Sequence, residues 1–222
     1  MPFTYNFAPI ANYFYQSQQS STGAIVSGNA TTTMTGPNLT ILAGASGQDD
    51  AGVTFPVNFN FFFFGTNYGN SLNSGIYWNT NQVLGFGTPV GTITWVANTG
   101  RGVLMGNADR RTNTFYYTPT ITSSGYDYMS CFLYGQNIYN DGVINAVQLQ
   151  FRIMRGPSYQ YIEVRCRLAP STAGAYNITN GTTFQNTYGA YVNMVANQSF
   201  VLQSDLNGNN WTFFNNSYVN IS

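Results

Sequence analysis

Two neighbouring segments of the chain alternate strictly between apolar and polar side chains, and this alternation constrains the fold more than any other feature. In residues 147–153 the odd-numbered positions are apolar and the even-numbered ones are Gln or Arg. In residues 161–168 the even-numbered positions are apolar or Cys, and the odd-numbered ones are Tyr, Glu or Arg. Successive side chains of a strand point to opposite faces, so each segment is predicted to be a half-buried β-strand.

The pair Gly156-Pro157 lies between these segments and suits a tight turn with Gly at its first central position. If these two are the turn residues, Phe151 faces Ile162 on the apolar side of an antiparallel hairpin. On the polar side of the same register, Arg152 lies diagonal to Glu163. A slip of one residue would place charged side chains in the core, so both faces favour this pairing.

The rest of the chain also favours strands over helices. Good helix formers are scarce, Thr, Tyr, Phe and Val are abundant, and Gly, Asn, Ser and Pro clusters interrupt at short intervals. We predict an all-β fold, a single jelly-roll β-sandwich of about eight to eleven strands, rather than a seven-strand immunoglobulin-type sandwich. An irregular aromatic N-terminal arm (1–22) precedes the jelly-roll domain (23–222), and Asn207-Gly208 is the predicted centre of a hairpin tip. Besides the hairpin, the predicted strands are 24–26, 39–42, 53–64, 75–78, 83–86, 92–96, 115–122, 126–134, 188–195, 200–203 and 211–214.

Charged residues make up only 6% of the 222 residues, and the chain contains neither His nor Lys. This absence excludes Ser-His-Asp and Cys-His nucleophile pairs, Lys Schiff bases and His-ligated metal sites. We therefore expect no enzymatic activity, no cofactor and no metal. The formal net charge is zero, so nucleic acid is not an expected partner either. The loop beginning at Asp205 imitates a calcium-binding sequence but supplies a single carboxylate, which favours a plain turn.

Segments that would direct the chain into or across a membrane are not found in the sequence. Residues 1–16 lack the basic start and continuous apolar stretch of a signal peptide, and the longest dense apolar run, 61–64, is far too short for a membrane span. We expect a soluble, intracellularly made protein without membrane insertion. Cys131 and Cys166 are expected to be free buried thiols, although the two could pair.

Residues 53–64 carry a second pattern. Every odd-numbered position is Val or Phe, whereas the even-numbered positions are polar or Pro until Phe62 and Phe64. The end of this predicted strand is therefore apolar on both faces, and each face must be covered by other residues. Either a loop of the same chain or a neighbouring subunit could cover Phe62 and Phe64.

Two further groups are candidates for contacts between subunits. The N-terminal arm is too aromatic for a disordered tail, so it is expected to dock on a neighbouring subunit or the underlying shell, or else on its own sandwich. Three arginines near residue 105 could form an anion patch, a solvated loop or inter-subunit salt bridges: Arg101, Arg110 and Arg111. The candidate interface residues are Phe3, Tyr5, Phe7, Phe62, Phe64, Arg110 and Arg111.

One segment resembles a known group of proteins. It reads Phe59-Asn-Phe-Phe-Phe-Phe-Gly65-Thr-Asn-Tyr68-Gly, then Ile76-Tyr-Trp-Asn-Thr-Asn81 and Leu84-Gly-Phe-Gly87. These residues, with the Asn-, Thr- and aromatic-rich composition of the whole chain, resemble the small single-jelly-roll capsid proteins of large icosahedral double-stranded DNA viruses of the chlorella-virus type, including their pentons.

The resemblance implies a virion protein that is made in the host cell cytoplasm and forms a homopentamer at the five-fold vertices. Its implied partners are itself, the major double-jelly-roll capsid protein and minor capsid proteins. An alternative is a non-enzymatic binding module, either a lectin-like or fibre-head jelly roll or a nidogen-like β domain, that recognises glycans or a protein. Nidogen-like modules share a looser form of the motif, but here Asn79-Thr-Asn81 replaces their usual Asn-Gly.

Overall fold

The computed structural model describes residues 4–5, 40–41, 52–70, 75–81, 83–88, 101–105, 110–117, 120–135, 147–168, 175–179, 192–193, 198–215 and 217–219. Over these ranges the chain is all-β, and its strands pair antiparallel. No helix long and apolar enough to span a membrane occurs among these residues. The strands are β1 (Thr4–Tyr5), β2 (Thr40–Ile41), β3 (Gly52–Thr54), β4 (Phe62–Phe63), β5 (Thr66–Asn67), β6 (Ile76–Asn79), β7 (Val83–Phe86), β8 (Arg101–Met105), β9 (Thr112–Tyr117), β10 (Ile121–Ser123), β11 (Tyr126–Gly135), β12 (Val147–Arg155), β13 (Tyr159–Leu168), β14 (Ala175–Thr179), β15 (Val192–Asn193), β16 (Gln198–Asp205), β17 (Trp211–Asn215) and β18 (Ser217–Tyr218).

Two sheets share one apolar core. The eight-stranded sheet has the order β17-β16-β13-β12-β11-β9-β2, with β10 paired to β11, and the six-stranded sheet has the order β15-β14-β8-β7-β6-β3. Trp78 of the six-stranded sheet stacks on Phe115 and Phe151 of the eight-stranded sheet, with ring centroids 5.1 and 5.4 Å apart. This arrangement confirms the predicted all-β fold at the level of a sandwich-like architecture.

The β12–β13 hairpin forms, but its register differs from the predicted one by two residues. Ile153 pairs with Ile162, and Arg152 pairs directly with Glu163 rather than diagonally. The tight turn is centred on Pro157 and the following Ser, because the Gly156 N–H donates to the Tyr159 carbonyl over 2.8 Å. Gly156 itself adjoins the Tyr126 ring, since a Cβ at this position would lie 2.5 Å from Tyr126 Cε1. A shift of two residues preserves the faces, so the predicted inward side chains are still the inward ones.

The prediction that the hairpin is half-buried is wrong. Its polar face is as well covered as its apolar face: Gln150, Arg152, Glu163 and Arg165 are all buried. Val219, near the C-terminal end of the sequence, and a second apolar cluster lie over this side of the eight-stranded sheet, which we call the outer face. The members of that cluster are Tyr126, Tyr128, Met154, Tyr161, Val201 and Val219.

Residues 53–64 do not form one strand, although the prediction of a buried face is confirmed. Regular pairing stops after β3 and resumes at β4, yet the odd-numbered side chains from 55 to 63 are all buried. Isolated backbone hydrogen bonds replace a ladder: the Phe55 N–H donates to the Ile76 carbonyl over 3.1 Å, and the Asn70 N–H donates to the Val57 carbonyl over 2.6 Å. Pro56, which has no N–H, lies at the start of this irregular stretch.

The other strand predictions have mixed outcomes. β7 has the predicted bounds, and the β16–β17 hairpin is centred on Asn207-Gly208 because Ser204 pairs with Trp211. The predicted strand 115–122 is divided between β9 and β10, while β8 and β14 were not predicted. Eighteen strands occur in the described ranges instead of the predicted eight to eleven, in part because several of them are only two residues long. The predicted strands 24–26 and 92–96 lie outside the described residues.

Cys131 and Cys166 form no disulfide and are buried in the core, as predicted. They lie on β11 and β13, with β12 between them. Two strand spacings separate their backbones by roughly 10 Å, which exceeds the span of a disulfide. Burial raises the pKa of the Cys131 thiol well above its ordinary value, so this side chain stays in its neutral form.

Candidate functional site

The segment that includes the two candidate interface phenylalanines ends in a packed group of rings, which we call the aromatic corner. Phe63 stacks on Phe86 with centroids 4.0 Å apart, and it also contacts Trp211 at 5.4 Å. Phe61 stacks on the same Phe86 at 5.9 Å, and Tyr68 contacts it at 5.6 Å. The corner therefore ties β4 and β5 to β7 of the six-stranded sheet and to β17 of the eight-stranded sheet.

The tip of the β16–β17 hairpin (residues 205–210) holds the turn between β4 and β5. The Phe64 N–H donates to the Gly208 carbonyl over 2.7 Å, and the Gly65 N–H donates to the Asn207 carbonyl over 3.1 Å. Asp205 Oδ1 accepts the N–H groups of Asn207 and Asn209 over 3.0 and 3.3 Å. The carboxylate thus shapes an Asx-type turn, in keeping with the sequence interpretation of this loop.

Two polar side chains of the β12–β13 hairpin fix the same region from the other side. Gln160 is fully buried, and its amide pairs with the backbone of Phe62: Oε1 accepts the N–H over 3.0 Å and Nε2 donates to the carbonyl. Arg155 lies over the Phe62 ring at 5.6 Å and donates to the Leu206 carbonyl over 3.3 Å. The Gln160 amide takes the place of a neighbouring strand. It pairs with the N–H and the carbonyl of Phe62, which have no partner among the described strands on that side of β4.

Phe62 and Phe64 are both half-buried. The loop 205–210 of the same chain contacts their backbone, as one of the two predicted alternatives requires, and part of each side chain stays exposed. Exposed, uncharged residues lie near them, namely Asn60, Gly65, Thr66, Asn67, Asn207, Asn209 and Asn210. Two charged side chains also lie here: Arg155 over the Phe62 ring, and Arg101, which donates to Thr66 Oγ1 over 3.0 Å. Tyr159, next to Asp205 in the sheet, is the exposed large hydrophobic side chain of the described chain, at 39%. This surface can form amide hydrogen bonds and ring contacts.

A second candidate site lies on the outer face, where the single Glu of the chain contacts two arginines. Arg152 Nη2 donates to Glu163 Oε2 over 2.6 Å, and Arg165 Nε contacts Glu163 Oε1. The C-terminal backbone completes this outer ion-pair network: the Val219 N–H donates to Glu163 Oε2 over 3.0 Å, and Arg152 Nη2 donates to the Val219 carbonyl over 2.8 Å. The network fastens the C-terminal segment to the centre of the eight-stranded sheet.

Burial alone would raise the pKa of Glu163, because desolvation disfavours the charged carboxylate. The charges of Arg152 and Arg165, together with the hydrogen bond from the Val219 N–H, outweigh that effect, and the pKa of Glu163 falls below its ordinary value. A carboxylate that is ionised, fully buried and surrounded by donors is a structural anion. It is not placed to exchange protons with a substrate.

The remaining predicted interface residues are placed as follows. Arg110 is fully buried, so of the alternatives given for these arginines a solvated loop does not apply to it; its backbone N–H donates to Asn81 Oδ1 over 2.7 Å. Arg111 is half-buried. Arg101 donates to the Tyr68 hydroxyl over 3.1 Å and to Thr66 Oγ1 over 3.0 Å. The backbone of Tyr5 pairs in β1 with β18 of the same chain, while its side chain, Phe3 and Phe7 lie outside the described residues.

Sequence reasoning missed the positioning roles of Gln160 and Arg155. Both are long polar side chains close to a turn, a place where exposure is the ordinary expectation. It also placed Glu163 on an open face, although the contact with Arg152 was anticipated. The available signal was the concentration of the only Glu and three of the seven Arg residues, Arg152, Arg165 and Arg167, at the polar positions of one hairpin.

The structure and the comparisons with known proteins add no assignment of a cofactor or a family. The described part of the chain contains no group of three or more His, Cys, Asp or Glu side chains that could hold a metal ion. No protein-family model, curated protein or solved structure matches the chain.

Proposed function

We propose that this chain is a structural subunit of an icosahedral viral capsid, a penton protein that forms a homopentamer at the five-fold vertices. One observation carries the proposal: the outer ion-pair network uses the single Glu to fasten the C-terminal backbone to a sheet. The strongest buried electrostatic contacts of the described chain thus serve its architecture. A buried carboxylate whose charge is stabilised by two arginines and a backbone N–H is typical of a structural ion pair, which supports the proposal of a subunit that presents stable surfaces.

The segment with the capsid-like motif supports the same proposal. Its aromatic residues form the core of the aromatic corner, where Phe61 and Phe63 stack on Phe86. The corner leaves a partly exposed aromatic surface whose rim is polar and includes Arg101 and Arg155, the composition expected of a protein interface core and its border. Copies of a chain with formal net charge zero do not repel one another strongly, so such surfaces can self-associate.

The sandwich is proposed to be of the jelly-roll type. The chain crosses between the two sheets from β2 to β3, from β8 to β9, from β13 to β14 and from β15 to β16. Repeated crossing between two antiparallel sheets favours a closed two-sheet sandwich of the kind found in capsid proteins. In this proposal the pentamer occupies the opening among larger double-jelly-roll capsomers and contacts the minor capsid proteins beneath them, in the virion.

The oligomeric state of the full chain tests the proposal directly. Sedimentation velocity and native mass spectrometry should give a species of about five times the subunit mass, since a five-fold vertex holds one ring. In purified particles the expected copy number is about sixty, five at each vertex. A chain that stays monomeric at every concentration, or a copy number near that of the major capsid protein, would contradict the penton assignment.

Deletion of residues 2–16 tests the N-terminal arm. If the arm docks on a neighbouring subunit, the deletion should weaken the pentamer while the isolated subunit stays folded. The pairing of β1 with β18 within one chain supports the other alternative, in which part of the arm packs on its own subunit. In that case the deletion should lower subunit stability and leave the association of folded subunits unchanged.

A glycan-binding module is the second candidate, and Tyr159 is the observation that favours it. Its ring is 39% exposed beside the amide-rich loop 205–210, a combination that can stack on a sugar and hydrogen-bond to its hydroxyls. A glycan array probed with the full chain and with Tyr159→Ala would distinguish the two functions. A monomer that binds one class of glycan and loses it on substitution supports the module, whereas a pentamer without glycan affinity supports the penton.

A further inference from the structure

Side chains of the β12–β13 hairpin hold two backbone segments in place of a neighbouring strand. The neutral amide of Gln160 pairs with the N–H and the carbonyl of Phe62. On the outer face an ion pair does the same for Val219, whose N–H donates to Glu163 Oε2 over 3.0 Å and whose carbonyl accepts from Arg152 Nη2 over 2.8 Å. Arg152 Nη2 also donates to Glu163 Oε2 over 2.6 Å, so these groups form a closed ring of hydrogen bonds.

The segment 217–219, which we call the outer strap, also has an apolar anchor. Val219 is fully buried and belongs to the outer apolar cluster together with Tyr128, Met154 and Val201. The strand within the strap, β18, contacts β16. The strap therefore covers an ion pair and an apolar patch at the same time.

The charges beneath the strap make it easier to open than an apolar contact of the same size would be. Charges that are removed from water lose hydration free energy, and their mutual attraction repays this loss only in part. When the strap opens, water returns to Arg152 and Glu163, and this hydration offsets part of the cost of exposing Val219. The strands beneath, β12 and β13, are paired on both sides in the eight-stranded sheet. We therefore expect the strap to open at a lower free energy than the sheet.

The strap is paired with a segment from the other end of the sequence. Thr4 pairs with Tyr218 and Tyr5 pairs with Ser217, so that β1 and β18 form a two-stranded sheet of their own. A pair of strands is only marginally stable in water unless it packs against other elements. The strap has such packing through Val219, and we expect β1 to keep its place only while the strap is closed.

We propose that the outer strap and β1 open and close as one unit while the sandwich stays folded. In the closed state, Glu163 and Arg152 bind the backbone of Val219, and β1 is fixed against β18. In the open state, water reaches the ion pair, and this part of the N-terminal arm is released together with the strap. The ion pair thus controls whether β1 is free to contact a partner. This inference goes beyond the capsid proposal and applies equally to a glycan-binding module.

Hydrogen exchange of the full chain tests the proposal. The reporters are peptic fragments that contain Thr4–Tyr5 or Val219, and fragments of β11 are the reference. In the wild type, both reporters should be protected, yet they should exchange faster than β11 because they open without the sandwich. Val219→Ala removes part of the apolar anchor, and Glu163→Gln leaves Arg152 without its counter-charge in the closed state. Each substitution should speed exchange at least about tenfold in both reporters.

Two further variants serve as controls. Asp127→Asn also removes a carboxylate, but the partner of Asp127 is the exposed Thr122 hydroxyl, so both reporters should be unchanged. Phe151→Ala lowers the stability of the whole sandwich. It should speed exchange in β11 more than in either reporter, because a local opening does not require the core to unfold.

The contrary outcomes are distinct, and each of them overturns the proposal. If Val219→Ala speeds exchange at Val219 but not at Thr4–Tyr5, the two segments do not open as one unit. If the wild-type reporters exchange as slowly as β11, they open only when the sandwich unfolds. If neither Val219→Ala nor Glu163→Gln changes the reporters, the ion pair and its apolar anchor do not hold the strap. The oligomeric state, which tests the capsid proposal, is measured independently of all three.

Discussion

The two faces of the β12–β13 hairpin are both buried, but different interactions stabilise them. On the inner face, Phe151 and its apolar neighbours pack against the opposite sheet, with Trp78 stacked on Phe151 at 5.4 Å. On the outer face, Glu163 is buried between Arg152 and Arg165 and accepts the Val219 N–H. The apolar face needs only matching shape, whereas the polar face needs every charge to have a partner.

The difference matters because the two faces respond differently to the same loss of atoms. Truncation of a buried apolar side chain lowers stability by the lost transfer free energy of the removed atoms and by the cost of the cavity that remains. Neighbouring side chains relax into part of that cavity. A charge that loses its partner stays buried without compensation, and no local relaxation restores the missing interaction. Substitutions on the two faces can therefore separate packing from charge pairing within one hairpin.

The largest effect is expected for Phe151→Ala on the inner face. Phe151 is fully buried and contacts the rings of both Trp78 and Phe115, so truncation should lower the free energy of unfolding by about 4 kcal/mol. Urea unfolding monitored by tryptophan fluorescence measures this loss. Phe213→Ala is the matched control, because Phe213 is half-buried at the core margin and should cost clearly less. Equal losses at the two positions would contradict the placement of Phe151 at the centre of the core.

The next effect is expected for Glu163→Gln on the outer face. The substitution preserves volume but leaves Arg152 and Arg165 buried without a counter-charge, so we expect a loss of about 3 kcal/mol. The control is Asp127→Asn. It removes a carboxylate that accepts a hydrogen bond from the exposed Thr122 hydroxyl over 2.6 Å. That control should cost less than about 1 kcal/mol. A loss for Glu163→Gln no larger than for the control would mean that the outer face is solvated.

The sequence was sufficient to assign side chains to the two faces of the hairpin. It was not sufficient to predict that other parts of the chain cover the outer face. Alternation in residues 147–153 assigned Phe151 and Ile153 to the core, because the strand period of two decides this locally. The register was wrong by two residues because Pro157, not Gly156, is the first central residue of the turn. The cover of Glu163 comes from Val219, 56 positions along the chain, and local patterns carry no information about such a contact.

The candidate site was predictable to a similar extent. The alternation in residues 53–64 indicated that Phe62 and Phe64 lie opposite the buried face, and both are half-buried in the structure. The loop that contacts them was predicted as a hairpin tip, since Asn207-Gly208 suits one, but not as their neighbour. The positive φ of Phe64 was not predictable, because no residue-type preference would place Phe at the first position of a type I′ turn.

A double substitution sharpens the assignment of charge pairing to the outer face. Arg152→Met and Glu163→Gln each remove one partner of the 2.6 Å contact. If the two side chains stabilise the fold through each other, the loss in the double variant should be smaller than the sum of the single losses by about 2 kcal/mol. The quantity comes from urea unfolding of the wild type, both single variants and the double variant. Additive losses would show that each residue acts through other contacts, such as the backbone of Val219.

The smallest effect is expected from a change of pH. Acid protonates the Glu163 carboxylate and so weakens its ion pairs without any substitution. The pKa of Glu163 is lower in the folded protein than its ordinary value, so the unfolded chain takes up a proton at this residue first as the pH falls. Its contribution to stability is therefore complete above about pH 5, and it is lost progressively as the pH falls through the folded pKa. The six Asp residues, which are the seven acidic residues minus Glu163, titrate in the wild type and in Glu163→Gln alike, so their effect cancels in a comparison of the two.

The difference in unfolding free energy between the wild type and Glu163→Gln should shrink as the pH is lowered from about 6 to about 3, in a series of urea titrations. On the inner face, Phe151→Ala should cost the same at each pH, because no titrating group takes part in its contacts with Trp78 and Phe115. A constant difference for Glu163→Gln would mean that the carboxylate keeps its ordinary pKa and that the arginines do not stabilise its charge. The outer face would then be held by the packing of Val219 and its apolar neighbours, and the two faces of the hairpin would be alike.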